Sequence, residues 1–344
     1  MKGKAGIIIA ILIAVVLIMV ACAGEPGPEG PPGPQGPAGQ QGSEGPAGSF
    51  ADVDISELAC TDCHNSSTFL FSKQAQFYRH SVHGTGDAFV RGASANCAGC
   101  HGSEGPKARI DAGLPPHDPS VEGIVNVSPY NCRTCHDIHT TYSTDDFSLT
   151  GDAQPVELEY TSGTYDGGAG NLCANCHQIR NEQPTVTDGT IDVASSRFGT
   201  HHGAEAPMLL GEGALGDVSG SSSPHYRGVE NTCVACHMGD ERNHTYEPEV
   251  ERCQECHTDA EDFDMEGVQT EVQALMEQAL TLFDEQGYID PDNGLWVTGL
   301  YPEEIANAMW NYKFVEEDQS MGVHNSDYTF ALLDQVLGAL GGGQ

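Results

Sequence analysis

Six short motifs constrain this chain more than any other feature: Cys60-Thr-Asp-Cys63-His64, Cys97-Ala-Gly-Cys100-His101, Cys132-Arg-Thr-Cys135-His136, Cys173-Ala-Asn-Cys176-His177, Cys233-Val-Ala-Cys236-His237 and Cys253-Gln-Glu-Cys256-His257. Two thiols separated by two residues also occur in redox dithiols and zinc sites. Neither of those needs the trailing histidine. Six copies, every one followed by histidine, point to covalent attachment of c-type haem: two thioethers to the vinyl groups of one porphyrin, and the adjacent imidazole on its iron.

That assignment also explains an otherwise awkward composition. The 344 residues carry 14 Lys+Arg against 50 Asp+Glu, a net charge of −36, with only 38% hydrophobic residues. Low hydrophobicity with high net charge is normally a signature of disorder. Six porphyrins would supply the apolar core that the side chains lack. The charge excludes a nucleic-acid partner, because a phosphate backbone needs a positive surface.

With these motifs the chain resembles a multihaem c-type cytochrome, with six haems. Motif starts are 37, 35, 41, 60 and 20 residues apart, too irregular for a solenoid. The expected fold is mainly α with extensive coil: a haem-packed core wrapped by loops and short helices (residues 51–262), then a C-terminal helical part (263–344). The motif histidines His64, His101, His136, His177, His237 and His257 are the proximal iron ligands.

Nine further histidines compete for the distal positions: His80, His83, His117, His139, His201, His202, His225, His244 and His324. His83 precedes the second motif by 14 residues, and His139 follows His136 by three, close enough to ligate a neighbouring stacked haem. Residues of about 195–340 resemble a block in cytochromes related to the nitrite reductase and hydroxylamine oxidoreductase group. The resemblance rests on His201-His202-Gly, Met208-Leu-Leu-Gly211, Ser223-Pro-His225, the fifth and sixth motifs, His244-Thr-Tyr and Gly322-Val-His324-Asn325-x-x-Tyr328. It implies that one or both of His201 and His202, with His225, His244 and His324, ligate iron. The preferred distal set is His83, His139, His202, His225, His244 and His324, with His80, His117 and His201 in reserve. Met208 and Met238 are alternative ligands that would raise a potential. The departure from that group is informative. Its nitrite reductases carry a lysine in place of one motif histidine, whereas all six motifs here end in histidine, and nothing marks a cross-linking tyrosine. Electron transfer is therefore preferred over catalysis.

The flanking regions differ in character. Lys2 and Lys4 precede an apolar run of 14 residues, Ile7–Val20, which ends at Ala21-Cys22. This reads as a signal peptide (1–21) with a lipobox and lipidation at Cys22; the alternative is an uncleaved signal anchor. From Gly24 to Gly48 every third residue is glycine, a collagen-like pattern, so 22–50 reads as a lipidated stalk, with trimerisation as its alternative role. Beyond Cys256 helical periodicity appears. Val268, Val272, Leu275, Met276, Ala279, Leu282 and Phe283 share one face, and Gly287 serves as the C-cap. A second helix begins after Pro302 with Ile305, Met309 and Tyr312 inward, flanked by Ala306 and Trp310, and a third begins near Asn325 or Ser326. Strand signals are weak, and 140–170 and 185–225 read as loops.

The resulting expectation is an exported lipoprotein of the outer membrane or cell surface that passes electrons along six haems. Its partners are other redox proteins or external metal and mineral acceptors, and the membrane through its anchor. Heavy negative charge favours ferric iron and low potentials. The alternatives are a reductase of nitrogen oxyanions with one open haem, and a subunit of an extracellular cytochrome filament.

Overall fold

The structure, a computed structural model, describes residues 69–342. The signal peptide, Cys22, the collagen-like stalk and the first motif (Cys60, Cys63, His64) lie outside the described residues. Helices α1 (Phe69–His80), α2 (Val82–Thr85), α3 (Ala95–Ala98), α4 (Glu104–Asp111), α5 (Cys132–Cys135), α6 (Asn171–Ala174), α7 (Glu205–Leu210), α8 (Pro224–Gly228), α9 (Thr232–His237) and α10 (Val250–Cys253) are mostly single turns strung on coil. Three longer helices follow: α11 (Val268–Glu285), α12 (Glu303–Asp318) and α13 (Ser326–Ala339). Among the described residues no helix is long and apolar enough to cross a membrane.

Two antiparallel pairs are the strands: β1 (Val156–Glu157) with β2 (Thr164–Tyr165), and β3 (Thr190–Val193) with β4 (Gly299–Pro302), in register Ile191 to Tyr301. The stretches read as loops therefore contain β1–β3, α7 and the start of α8. The reason is long-range. Each apolar fragment is too short to show a period, and β3 is ordered by a partner more than 100 residues downstream.

The apolar core is asymmetric in sequence. Between residues 72 and 153 the buried hydrophobic side chains are Phe77, Ala98 and Cys100, whereas α11–α13 with residues 179–215 form a continuous cluster. On α11 the fully buried stripe is Val272, Met276, Ala279 and Phe283, with Val268, Leu275 and Leu282 half-buried beside it. Helix α12 departs from the one-sided reading. It buries Ile305, Ala306, Ala308, Met309, Trp310, Tyr312, Phe314 and Val315, because it packs against α13, β3 and β4 and meets α11 through the Phe283–Tyr312 edge contact at 5.5 Å. A helix hydrophobic around its circumference is one that is covered on all sides.

These helices hold the 204–225 segment through paired polar groups. Trp310 Nε1 donates to the Gly213 carbonyl (3.0 Å), Asn311 brackets Leu215 by accepting from its N–H and donating to its carbonyl (2.9 Å each), and the Tyr328 hydroxyl accepts from Ala214 N–H (2.9 Å). Asn325 caps α13 as the sequence indicates, accepting from Tyr328 N–H, while its Nδ2 donates to the Met208 and Ser221 carbonyls. The turn between α12 and α13 needs Gly322. Its φ is +94°, and an added Cβ would stand 3.1 Å from Val268 and 3.2 Å from Val272. Gly322→Ala is expected to destabilise the C-terminal part by about 1–3 kcal/mol, read as a lowered denaturant midpoint; an unchanged midpoint would contradict it.

Candidate functional site

Each described motif is built on a single helical turn. The backbone N–H of the motif histidine bonds to the carbonyl of the first cysteine in His101–Cys97 (2.9 Å), His136–Cys132 (2.9 Å), His177–Cys173 (2.9 Å) and His257–Cys253 (2.8 Å), and the fifth motif lies within α9. Positions i, i+3 and i+4 share one helix face, so this turn presents two thiols and one imidazole together. The thiols of described motifs form no disulfides.

Every one of the five described motif histidines faces a second imidazole from elsewhere in the chain. Ring centres are 6.1 Å apart for His177 and His83, 6.5 Å for His101 and His201, 6.3 Å for His136 and His244, 6.3 Å for His237 and His324, and 6.3 Å for His257 and His225. Imidazole nitrogens about 2.0–2.1 Å from a metal, each about 1.1 Å from its ring centre, place two rings facing across one metal about 6.2–6.4 Å apart. The separations therefore suit an iron between each pair. Among the described residues no three or more His, Cys, Asp or Glu side chains converge on a metal-sized point.

Proton placement is consistent with that use. A carbonyl oxygen can only accept, so a ring nitrogen bonded to one carries the proton. Nδ1 donates to Phe147 O from His136 (2.9 Å), to Tyr246 O from His237 (3.0 Å), to Arg242 O from His244 (2.7 Å) and to Val323 O from His225 (2.8 Å). Carboxylates take the same role for His177, held by Glu205 at 3.0 Å, and for His324, held by Asp318 at 2.7 Å. In all six Nδ1 is taken up by an oxygen acceptor, which leaves Nε2 as the nitrogen for metal, the usual arrangement for a ligating histidine. Glu205 is the main reason that the His177 imidazole rises to about 9, while burial, followed by His177 itself, lowers His83 to about 4. Burial works to lower His324 as well, but Asp318 and Glu205 outweigh it and raise the group to about 9.

His202, the preferred member of its pair by sequence, is 70% exposed in its side chain and its Nδ1 is bonded to Glu317. The ring that faces His101 is that of its neighbour His201, which has a φ of +69° and accepts from Arg180 at 2.8 Å through Nε2. The two rings remain neighbours, with centres 5.0 Å apart, and a linear reading of His-His does not say which of them faces His101. His139 stacks on Tyr142 at 5.4 Å, and its N–H donates to Asp146 at 2.7 Å. His80 lies exposed in the last turn of α1, and His117 is bonded to Glu159. Met208 belongs to the hydrophobic core, where its sulfur accepts from the Thr329 hydroxyl; Met238 is half-buried after His237.

Neighbouring motifs touch, and not in sequence order. The Cys100 and Cys176 thiols lie close enough to shift each other's ionisation, as do those of Cys173 and Cys233, which sets the second motif beside the fourth and the fourth beside the fifth. Adjacent residues of one turn serve the fifth and sixth sites, since Val323 anchors His225 and His324 faces His237. Tyr246 joins three sites. Its carbonyl accepts from His237, and its ring lies 5.1 Å from His83 and 6.0 Å from His244. Sequence reasoning missed Glu205, Asp318 and Tyr246, whose roles carry no local signal.

No family model and no curated protein matches this chain. Among solved structures its fold is similar to that of the outer cell wall cytochrome OcwA, known from a crystal structure, at a TM-score of 0.50 and 20% identity over 78% of this chain. The likeness takes in 50% of that protein, so this chain spans about half its length. An undecahaem cytochrome from the S-layer of Carboxydothermus ferrireducens is similar at a TM-score of 0.47 and 18% identity, over 77% of this chain and 40% of that one.

Proposed function

We propose that this protein is an exported cytochrome that carries electrons along six covalently attached c-type haems. The observation that carries the reading is the facing of each described motif histidine by a second imidazole at 6.1–6.5 Å. Six-coordinate iron has no open face for substrate, and its work is one-electron exchange between Fe(III) and Fe(II). The haem supplies that redox chemistry. The chain's own residues hold the porphyrins through Cys97 and Cys100, Cys132 and Cys135, Cys173 and Cys176, Cys233 and Cys236, and Cys253 and Cys256, with Cys60 and Cys63 for the first.

The distal ligands are His201, His244, His83, His324 and His225 for the second to sixth haems, His201 exchanging the Arg180 hydrogen bond at Nε2 for iron. We assign His139 to the first. Asp146 accepts from the N–H groups of His139, Thr141 and Tyr142 and so fixes a backbone with φ of +65° at His139, the kind of over-determined strain found at functional positions. Export, lipidation at Cys22 and the collagen-like stalk would place the haem chain at the cell surface, where redox proteins or metal and mineral acceptors meet it. Resemblance of residues 195–340 to the nitrite reductase group keeps an open-haem reductase as the second reading, and the first haem is where it would lie.

Purified protein tests both. Alkaline pyridine difference spectra against protein concentration should give six haems per chain, and low-temperature EPR should show low-spin iron throughout. A high-spin signal that shifts on adding nitrite would replace the conduit by the reductase, and the absence of covalent haem would overturn the reading.

A further inference from the structure

In a chain of net charge −36, one arginine is withdrawn from solvent between two haem-attachment turns. Arg109 on α4 is 1% exposed. Its Nε donates to the carbonyl of Gly99, inside Cys97-Ala98-Gly99-Cys100. Its Nη2 donates to the carbonyl of Asn175 at 2.6 Å and to the sulfur of Cys176 at 3.7 Å, both in the fourth motif. Its Nη1 donates to the Asn175 side-chain oxygen at 3.2 Å and to the Leu114 carbonyl at 3.4 Å. All five N–H groups are therefore used, and among the described residues no carboxylate forms an ion pair with it. A buried, uncompensated cation is costly for stability alone, and its fork fits two attachment turns at once.

We infer that Arg109 clamps the second and fourth haems together and raises their potentials above the level that the acidic chain would otherwise set, making this pair a place where electrons reside. The inference rests on the cytochrome reading above. Reduction adds one electron to one iron, Fe(III) to Fe(II), with no bond made or broken, so the local charge falls by one unit. A fixed cation in a low-dielectric site next to a thioether sulfur stabilises the reduced form. The same arginine thus spans the second and fourth motifs, from Gly99 to Asn175 and Cys176. The third motif, between them in sequence, is left beside this pair rather than within it.

The test is a mediated redox titration with dithionite as reductant, on wild-type protein and on Arg109→Gln, Arg109→Lys and Asn175→Asp, with haem content measured on each sample. Arg109→Gln should move two of the six one-electron steps to lower potential and leave the others in place. Arg109→Lys keeps the charge and should stay close to wild type. A purely structural clamp would be lost in both, so equal displacement in Gln and Lys variants overturns the electrostatic role. Should the Gln variant fail to fold, Asn175→Asp sets a carboxylate against Nη1 while retaining the arginine, and the same two steps should fall. Unchanged titrations in a variant holding all its haems overturn the inference. A wild-type protein without covalent haem would instead remove the reading on which it stands.

Discussion

Replacing Cys173 and Cys176 together with serine is expected to remove one covalent haem and to divide the remaining ones into two groups that exchange electrons slowly. The fourth motif is the junction of the described sites. Arg109 ties Cys176 to Gly99 of the second motif, Cys173 lies close enough to Cys233 of the fifth to shift its ionisation, and the facing His83 lies 5.1 Å from Tyr246, whose carbonyl holds His237. Serine preserves the shape of the turn but forms no thioether, so the haem is lost when the protein is denatured. Haem staining after denaturing electrophoresis should fall by one part in six relative to protein. Stopped-flow reduction should change from one dominant phase to two. Full retention of stain would show that this motif does not attach haem, and unchanged single-phase kinetics would show that electrons bypass it.

His324→Ala should convert one iron from low-spin to high-spin and loosen the C-terminal helices. The imidazole sits in the turn between α12 and α13, its side chain 19% exposed, with its ring centre 6.3 Å from that of His237. Its Nδ1 is tied to Asp318, which is 1% exposed in its side chain and bonds Ser320 as well. Removing the ring takes away the axial ligand proposed for the fifth haem and leaves a buried carboxylate short of a partner, at a cost of about 1–3 kcal/mol. The EPR spectrum should gain one high-spin component, added imidazole should restore the low-spin form by entering the vacated position, and limited proteolysis should cut sooner within 303–342. A wholly low-spin variant with unaltered protease resistance would place the His324 ring outside the iron site.

How much of this was legible beforehand differs from residue to residue. The attachment turns were, because two thiols and an imidazole within five consecutive residues form one helical turn whatever surrounds them. So were α11 and α13, whose apolar faces repeat at helical spacing, and the cap at Asn325. Helix α12 was legible in extent but not in burial, since a helix enclosed on all sides loses the amphipathic contrast that periodicity measures.

What tertiary structure alone decided is which groups meet. The facing imidazoles are separated by 94 residues for His83 and His177, 100 for His101 and His201, and 108 for His136 and His244. No local pattern encodes such pairings. Which of the neighbouring His201 and His202 rings faces His101 is likewise visible only in the fold. The contact of the second motif with the fourth, and the burial of Arg109 between them, follow from the packing of coil that has few apolar side chains of its own to direct it. The spacing of two thiols and an imidazole is local and is written into consecutive residues; which imidazoles face each other depends on distances across the fold, and only the packed chain fixes those.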